Sequence, residues 1–194
     1  MLTGLNAADI GEATSFDAFY DRAVQGWSDD FDVSRAVIGV TGLDDGWAVM
    51  VEVNGYVGVT ERLIGPMSPG RTIVSHFRNI NAAYSFHWWH DGQHMVNFDL
   101  MFPAESRFGA EPDALNDDIR GAGIPWRSTA DHDLDFDYSA AGFALTQRIT
   151  GVACTPRLFE DSAFRMATVD LPDSSDDQRY GDVLRTTWRH PEVW

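Results

Sequence analysis

The chain has 194 residues, with thirty acids against fourteen bases, six histidines and one cysteine, a formal charge of −16 and a pI near 4.4. At 44% hydrophobic and 12% aromatic it is too apolar to be disordered by composition, and its length corresponds to one domain with a sizeable core. The negative field repels phosphate backbones and anionic lipid, which argues against nucleic-acid and membrane-surface partners and favours a basic protein.

All fourteen bases are arginine and most of the acids are aspartate, a bias expected of a GC-rich genome or a saline cytoplasm. A single Cys154 forms no internal disulfide, and no apolar run approaches the ~20 residues of a membrane span. The N-terminus shows no basic region followed by an apolar one. A cytoplasmic protein without a cofactor is expected.

In chain order, Thr14 or Ser15 caps a helix whose stripe is Phe16, Phe19, Tyr20, Ala23 and Val24, ending near Gly26. Ala36–Val40 is a short apolar strand, and Trp47, Val49, Val51 and Val53 alternate with Ala48, Met50 and Glu52 up to Asn54-Gly55. Thr60 opens a short helix through Leu63 and Ile64 that Gly65-Pro66 ends. Pro69-Gly70 turns the chain into a strand over Thr72–Phe77. Asp91-Gly92 is a two-residue type I′ hairpin signal between Ala83–His90 and Gln93–Met101. An unbroken register pairs His90 with Gln93, Trp89 with His94, and His87 with Val96. One face then holds His87, Trp89, His94, Val96, Phe98 and Leu100. The other holds Tyr84, Phe86, Trp88, Met95, Asn97 and Asp99.

Beyond Pro103 the pattern turns helical. Pro112 begins a helix carrying Leu115 and Ile119, which Gly121 and Gly123 end. Ser139 caps a second through Phe143, Leu145 and Ile149 to Gly151, and Thr155-Pro156 opens a third through Leu158, Phe159 and Phe164. Pro172–Asp177 reads as a linker. Tyr180, Val183, Leu184 and Trp188 form an amphipathic stripe in the last residues. Residues 178–194 sum to +1 and residues 1–177 to −17. The expected architecture is α+β, a mainly antiparallel sheet of about five strands with helices at both ends. Residues 1–172 form one domain, and 173–194 a linker and C-terminal segment that docks on the body or on a partner.

Gly46-Trp47, Val51–Tyr56, Asn79–Ala82 and Ser85-Phe86 before Asp91-Gly92, with Arg107–Gly109, Asp113–Leu115 and Arg148–Val152, resemble an actinobacterial family known only as a domain of unknown function. The similarity spans roughly residues 36–165. It implies a compact domain and transfers no activity.

Three constellations carry chemistry. His87 and His94 share a hairpin face as diagonal neighbours, within reach of one metal ion, while His90 points the other way. A third ligand would come from His76, Glu52 or Asp99. Glu52, Arg78, Asn81 and Asp99 lie at strand ends beside Tyr84, Phe86 and Trp88, a candidate ligand pocket in which the two carboxylates would be acid and base. Arg185, Trp188 and Trp194 are candidate partner contacts. Asp131, Asp133, Asp135 and Asp137 lack the glycine and glutamate of a calcium loop and read better as an edge strand. No nucleophile elbow, P-loop, GxGxxG or HExxH occurs. The expected function is therefore that of a non-catalytic acidic binding or regulatory domain, immunity-like, recognising a basic protein or a second copy of the chain. The alternative is a small-ligand binder or hydrolase using a pocket at the central hairpin.

Overall fold

The computed structural model describes residues 5–29, 34–53, 56–79, 83–105, 107–127 and 135–171. Among these residues, seven strands form two antiparallel sheets. The first has the order β1-β7-β2-β3 and the second β4-β5-β6. Strand β1 is Ala7–Ala13, β2 Arg35–Gly42, β3 Ala48–Glu52, β4 Thr72–Arg78, β5 Tyr84–His90, β6 Gln93–Asp99 and β7 Phe164–Asp170. The class is α+β as the patterning implies, with two sheets in place of one of about five strands.

Two strands are absent from the sequence reading. β1 is mostly exposed and so shows no apolar alternation. β7 begins at Phe164, which the sequence pattern assigns to a helix; that helix, α5 (Pro156–Glu160), stops four residues earlier. Phe164, Met166, Ala167 and Val169 are buried because β7 lies between β1 and β2, covered on both faces.

The helices follow local signals with small displacements. α1 (Phe16–Asp29) runs past Gly26, and the Ser15 hydroxyl accepts from the Ala18 N–H at 3.2 Å. α2 is Glu61–Ile64; the Thr60 hydroxyl donates to the Tyr56 carbonyl and does not cap it. α3 is Asn116–Gly121, with Leu115 at its N-cap position. α4 (Tyr138–Thr150) is capped by Asp137, whose carboxylate accepts from the Ala140 N–H at 2.9 Å, and Gly151 ends it in the left-handed region. Asp137 is thus a helix cap where an edge strand was expected. Asp131 and Asp133 lie outside the described residues.

Three apolar clusters place these elements in layers. Phe19 and Ala23 of α1 pack with Ala13 and Met166, against Val37 and Val51, on one face of the four-stranded sheet. The other face, carrying Ala36, Ile38, Ala167 and Val169, meets Val57, Ile64, Met67 and Trp89. The 57–67 segment is thus wedged between the sheets. The outer face of the three-stranded sheet buries Phe86, Val96, Phe98 and Leu100 against Leu115, Ile119, Tyr138 and Leu145 of the α3–α4 region. Each large apolar side chain so buried contributes about 1.5–3 kcal/mol.

The hairpin turns at Asp91 (φ 44°) and Gly92 (φ 81°), a type I′ geometry. Its register starts as expected, His90 with Gln93 and Trp89 with His94, then shifts: Trp88 pairs with Val96, His87 with Asn97 and Phe86 with Phe98. Met95 is the extra residue of a β-bulge. The two faces are corrected accordingly. Val96, Phe98 and Leu100 join Phe86 in the outer cluster, while Asn97 and Asp99 share the inner face with His87. A period-2 pattern alone does not register one added residue.

Candidate functional site

Each sheet has two outer edges, and three devices decide which of them are closed. Beyond β6, the Asn97 N–H donates to the Phe108 carbonyl at 2.8 Å and the Phe108 N–H returns a bond at 2.9 Å; Ala110 and Glu111 donate to the His94 and Met95 carbonyls. Gly109 lies between them at φ 126°, and a Cβ there would collide with the Met95 carbonyl. Beyond β1, the Arg22 guanidinium donates to the carbonyls of Ile10 and Glu12 at 2.7 and 2.9 Å. A register shift between Asp9 and Gly11 twists that same edge. Among the described residues, no backbone hydrogen bond reaches the outer side of β3 or β4.

These two open edges line one groove of about 1440 Å³. β3 contributes Met50 and Glu52, β4 contributes Ile73 and Ser75, and α4 contributes Phe143 and Thr150. The groove continues to Cys154 and Phe159 beyond α4. Strand alternation presents both faces of β4: Ser75 donates to the Gly58 carbonyl on one side, and His76 meets the Phe143 ring edge-on, 4.5 Å between centroids, on the other.

The groove carries the sign of the whole chain. Asp17, Asp45, Glu52, Asp137 and Glu160 line it against Arg71 and Arg78, a net charge of −3 when every carboxyl is ionised. Glu52 sits deepest. Its Oε2 accepts from the Val57 N–H at 2.9 Å, and the amides of Tyr56 and Gly58 also favour its charge. Burial outweighs them and pushes the carboxyl up to about 7. Its buried Oε1 finds no hydrogen-bond partner among the described residues. Burial holds His76 neutral, its pKa pushed down to about 4, and raises the Cys154 thiol. A raised thiol is protonated at neutral pH and a poor nucleophile.

The structure disperses the pocket expected at the hairpin. Glu52 and Arg78 line the groove; Tyr84, Phe86, Trp88 and Asp99 do not. Phe86 is fully buried in the outer cluster, and Tyr84 and Trp88 pack against that cluster. Tyr84 lies 5.5 Å from the Tyr138 ring and carries the Arg78 guanidinium 5.8 Å above it. Asp99 closes the end of β6, accepting from the Met101 N–H at 2.8 Å, and burial raises it to about 6. Asn81, Arg185, Trp188 and Trp194 lie outside the described residues.

His87 and His94 do share a face. The His94 ring is stacked between Trp89, at 4.2 Å, and His87, at 5.1 Å, all nearly parallel. His94 Nδ1 is 2.9 Å from Glu61 Oε1 on α2, so the stack ties the wedge segment to the hairpin. His87 Nδ1 and His94 Nε2 are buried without partners among the described residues. Burial, then the neighbouring His94, press His87 down to about 3; burial also lowers His94 against the pull of Glu61. Stacked rings hold their in-plane lone pairs parallel, not converging. Among the described residues, no three His, Cys, Asp or Glu side chains are grouped to hold a metal ion.

Met50, Ile73, Ser75 and Phe143 are groove residues that sequence reasoning did not single out, and His76 was considered only as a third metal ligand. Their types are ordinary core and strand residues, and only the missing neighbour strand distinguishes them. Fold and site together define an α+β domain of two antiparallel sheets with an open, acidic, two-edged groove. The chain belongs to DUF6461, a family of unknown function, whose model matches residues 1–173. No curated protein and no solved structure matches it.

Proposed function

We propose that this protein is a non-catalytic binding domain that takes an extended segment of a basic partner protein into the groove between β3 and β4. One observation carries the reading: the two strand edges that find no backbone partner among the described residues line the same groove, while the other two edges are closed. An unpaired edge presents a row of N–H and C=O groups, and a peptide adding as a strand satisfies them. Successive side chains of such a peptide meet the apolar lining on its two faces, Met50 and Ile73 on one and Phe143 on the other. An arginine opposite Glu52 would supply the partner that its buried Oε1 lacks among the described residues and steer the encounter with the acidic surface. The lone cysteine supports a cytoplasmic setting, and the exclusive use of arginine supports a GC-rich actinobacterial host.

The test is selection of ten-residue peptides from a random displayed library on the full chain, with fluorescence anisotropy of the winners. Expected winners alternate β-branched or aromatic residues with arginine. Gln147, an exposed groove residue of α4, serves as a block: Gln147→Trp is expected to weaken the winners at least tenfold. Winners unaffected by that substitution would place binding elsewhere and remove the proposal.

A further inference from the structure

Residues 57–67 sit between the two sheets without a strand ladder to hold them. Among the described residues, no backbone hydrogen bond joins this segment to either sheet. Side chains make the connections: Glu52 accepts from the Val57 N–H, Ser75 donates to the Gly58 carbonyl, and His94 Nδ1 meets Glu61 at 2.9 Å. A segment pinned by side chains can lift without opening a sheet, at the cost of its apolar contacts. Gly58, Val59, Ile64 and Met67 of this segment line the groove, so its position shapes the groove.

The His94 connection is backed by the parallel rings of Trp89, at 4.2 Å, and His87, at 5.1 Å. Trp89 in turn rests on the segment, its indole 3.6 Å from where a Cβ on Gly65 would stand. A neutral imidazole has one N–H and one lone pair. With His94 Nδ1 donating to the Glu61 carboxylate, its Nε2 is an acceptor. That atom and His87 Nδ1 are buried with no partner among the described residues. A proton on either would create an N–H without a described acceptor and a charge one ring spacing from the next imidazole.

The surroundings of the stack offer little to hold such a charge. β4 sets Ile73 opposite Trp89 and Ser75 opposite His87, and β6 sets Asn97 opposite His87 and Asp99 opposite Ser85. The four-stranded sheet brings Ala36, Ile38, Ala167 and Val169 to the same cluster as Trp89. α2 carries Glu61 and Arg62, and Glu111 donates its N–H to the carbonyl of Met95, next to His94. Burial outweighs the pull of Glu61 on His94, and burial, then His94, keep His87 neutral.

We propose that the Trp89–His94–His87 stack is an acid-sensitive pin: with both imidazoles neutral it fixes residues 57–67 between the sheets, and proton uptake by His87 and His94 frees that segment and loosens the groove. The pin stands apart from what the groove binds; its effect on binding rests on the groove reading above. Glu52 titrates with the opposite sign, since its carboxyl, at about 7 against the ordinary 4.5, gives up a proton when the segment lifts. Below about pH 6.5, two imidazoles thus act against one carboxyl.

The test compares the full chain with His87→Phe, which keeps a flat ring in the stack, and with His94→Gln, which keeps a donor for Glu61; neither replacement titrates. Hydrogen–deuterium exchange, corrected for the intrinsic pH dependence of amide exchange, gives the protection of fragments covering residues 57–67 at about pH 7.5 and about pH 5.5. Glu52 is common to all three proteins, so the parent-to-variant ratio of protection isolates each imidazole. Once solvated at its ordinary pKa of 6.5, an imidazole favours the open form about tenfold at pH 5.5. The ratio is therefore expected to fall about tenfold for His87→Phe between the two pH values, and at least about twofold for the less buried His94→Gln. Fragments covering residues 35–42 and 164–170 are expected to keep a constant ratio. A ratio for 57–67 that stays constant with pH in either folded variant overturns the pin. An equal fall in the strand fragments also overturns it, because the whole fold is then responding. Exchange reads the pin without any ligand, so a selection that yields no groove-binding peptide removes the groove reading and leaves the pin to be decided by the ratio alone.

Discussion

The edge of β6 and the edge of β4 belong to one three-stranded sheet and are treated in opposite ways. β6 is sealed by four backbone hydrogen bonds to residues 108–111, held close by a glycine in the left-handed region. β4 runs along an open groove with its outer backbone groups unclaimed among the described residues. The four-stranded sheet repeats the contrast, with Arg22 and a bulge blunting β1 and no described backbone group covering β3. An exposed edge invites indiscriminate pairing, so chains that fold as monomers usually blunt every edge. Two edges are closed by dedicated residues and the other two line one groove, and that asymmetry is what the proposed binding rests on.

The largest expected effect comes from breaking a closed edge. Gly109→Ala drives a Cβ into the Met95 carbonyl at a φ that L-residues rarely adopt, so residues 107–111 must lift off β6. A loss of about 3 kcal/mol is expected in urea denaturation, with light scattering reporting aggregation through the uncovered edge. A midpoint equal to that of the parent would show that the cover contributes nothing.

The next effect tests the open groove through Glu52. Its folded pKa of about 7 lies above the ordinary 4.5, so the folded state holds a proton that the unfolded chain releases. The stabilisation is fully present below about pH 4.5 and is lost as pH rises toward about 7. Over that window the loss approaches ~3 kcal/mol. Glu52→Gln removes the titration, and the variant is expected to exceed the parent in stability above about pH 7. The difference between the two proteins isolates this residue from Asp99, raised to about 6 with the same sign. It also isolates it from His87, pressed to about 3 from the ordinary 6.5, which must stay neutral and costs stability as pH falls below that ordinary value. A parent-minus-variant difference that is flat with pH would mean that Glu52 is solvated.

The same carboxyl predicts proton release on binding. An arginine-bearing peptide stabilises the ionised form, so calorimetry near pH 7 in buffers of different ionisation heat should show proton release that Glu52→Gln abolishes. The smallest effect concerns β1. Arg22→Ala leaves the Ile10 and Glu12 carbonyls to water, and a loss of about 1 kcal/mol is expected. Faster exchange in β1 with β6 unchanged would confirm that the two closures act independently.

Much of the fold was legible from residues whose signal is local. Asp91-Gly92 announced its hairpin, Thr155-Pro156 its helix start, and the alternation after Trp47 its strand. Asp137 was legible only as part of an acidic run, because a cap is recognised by the helix it precedes and Ser139 offered a competing start. β1 escaped because its side chains face water, and Phe164 was assigned to a helix because a short apolar run shows no decisive period. The candidate site was legible in part: Glu52 and Arg78 do line the groove, whereas Phe86 and Trp88 pack in or against the outer core.

The sequence by itself determined the class of this protein, the positions of most elements and the sign of its surface, since all three arise from composition and from interactions a few residues apart. Only the tertiary structure decided that there are two sheets, that Met95 is a bulge, and which edges are covered. Those outcomes depend on pairings between residues far apart in the chain, such as β1 with β7 or Phe108 with Asn97. Two strands of similar character, β6 and β4, look alike as letters. What separates a sealed edge from an open one is the neighbour that arrives, or does not, from elsewhere in the chain.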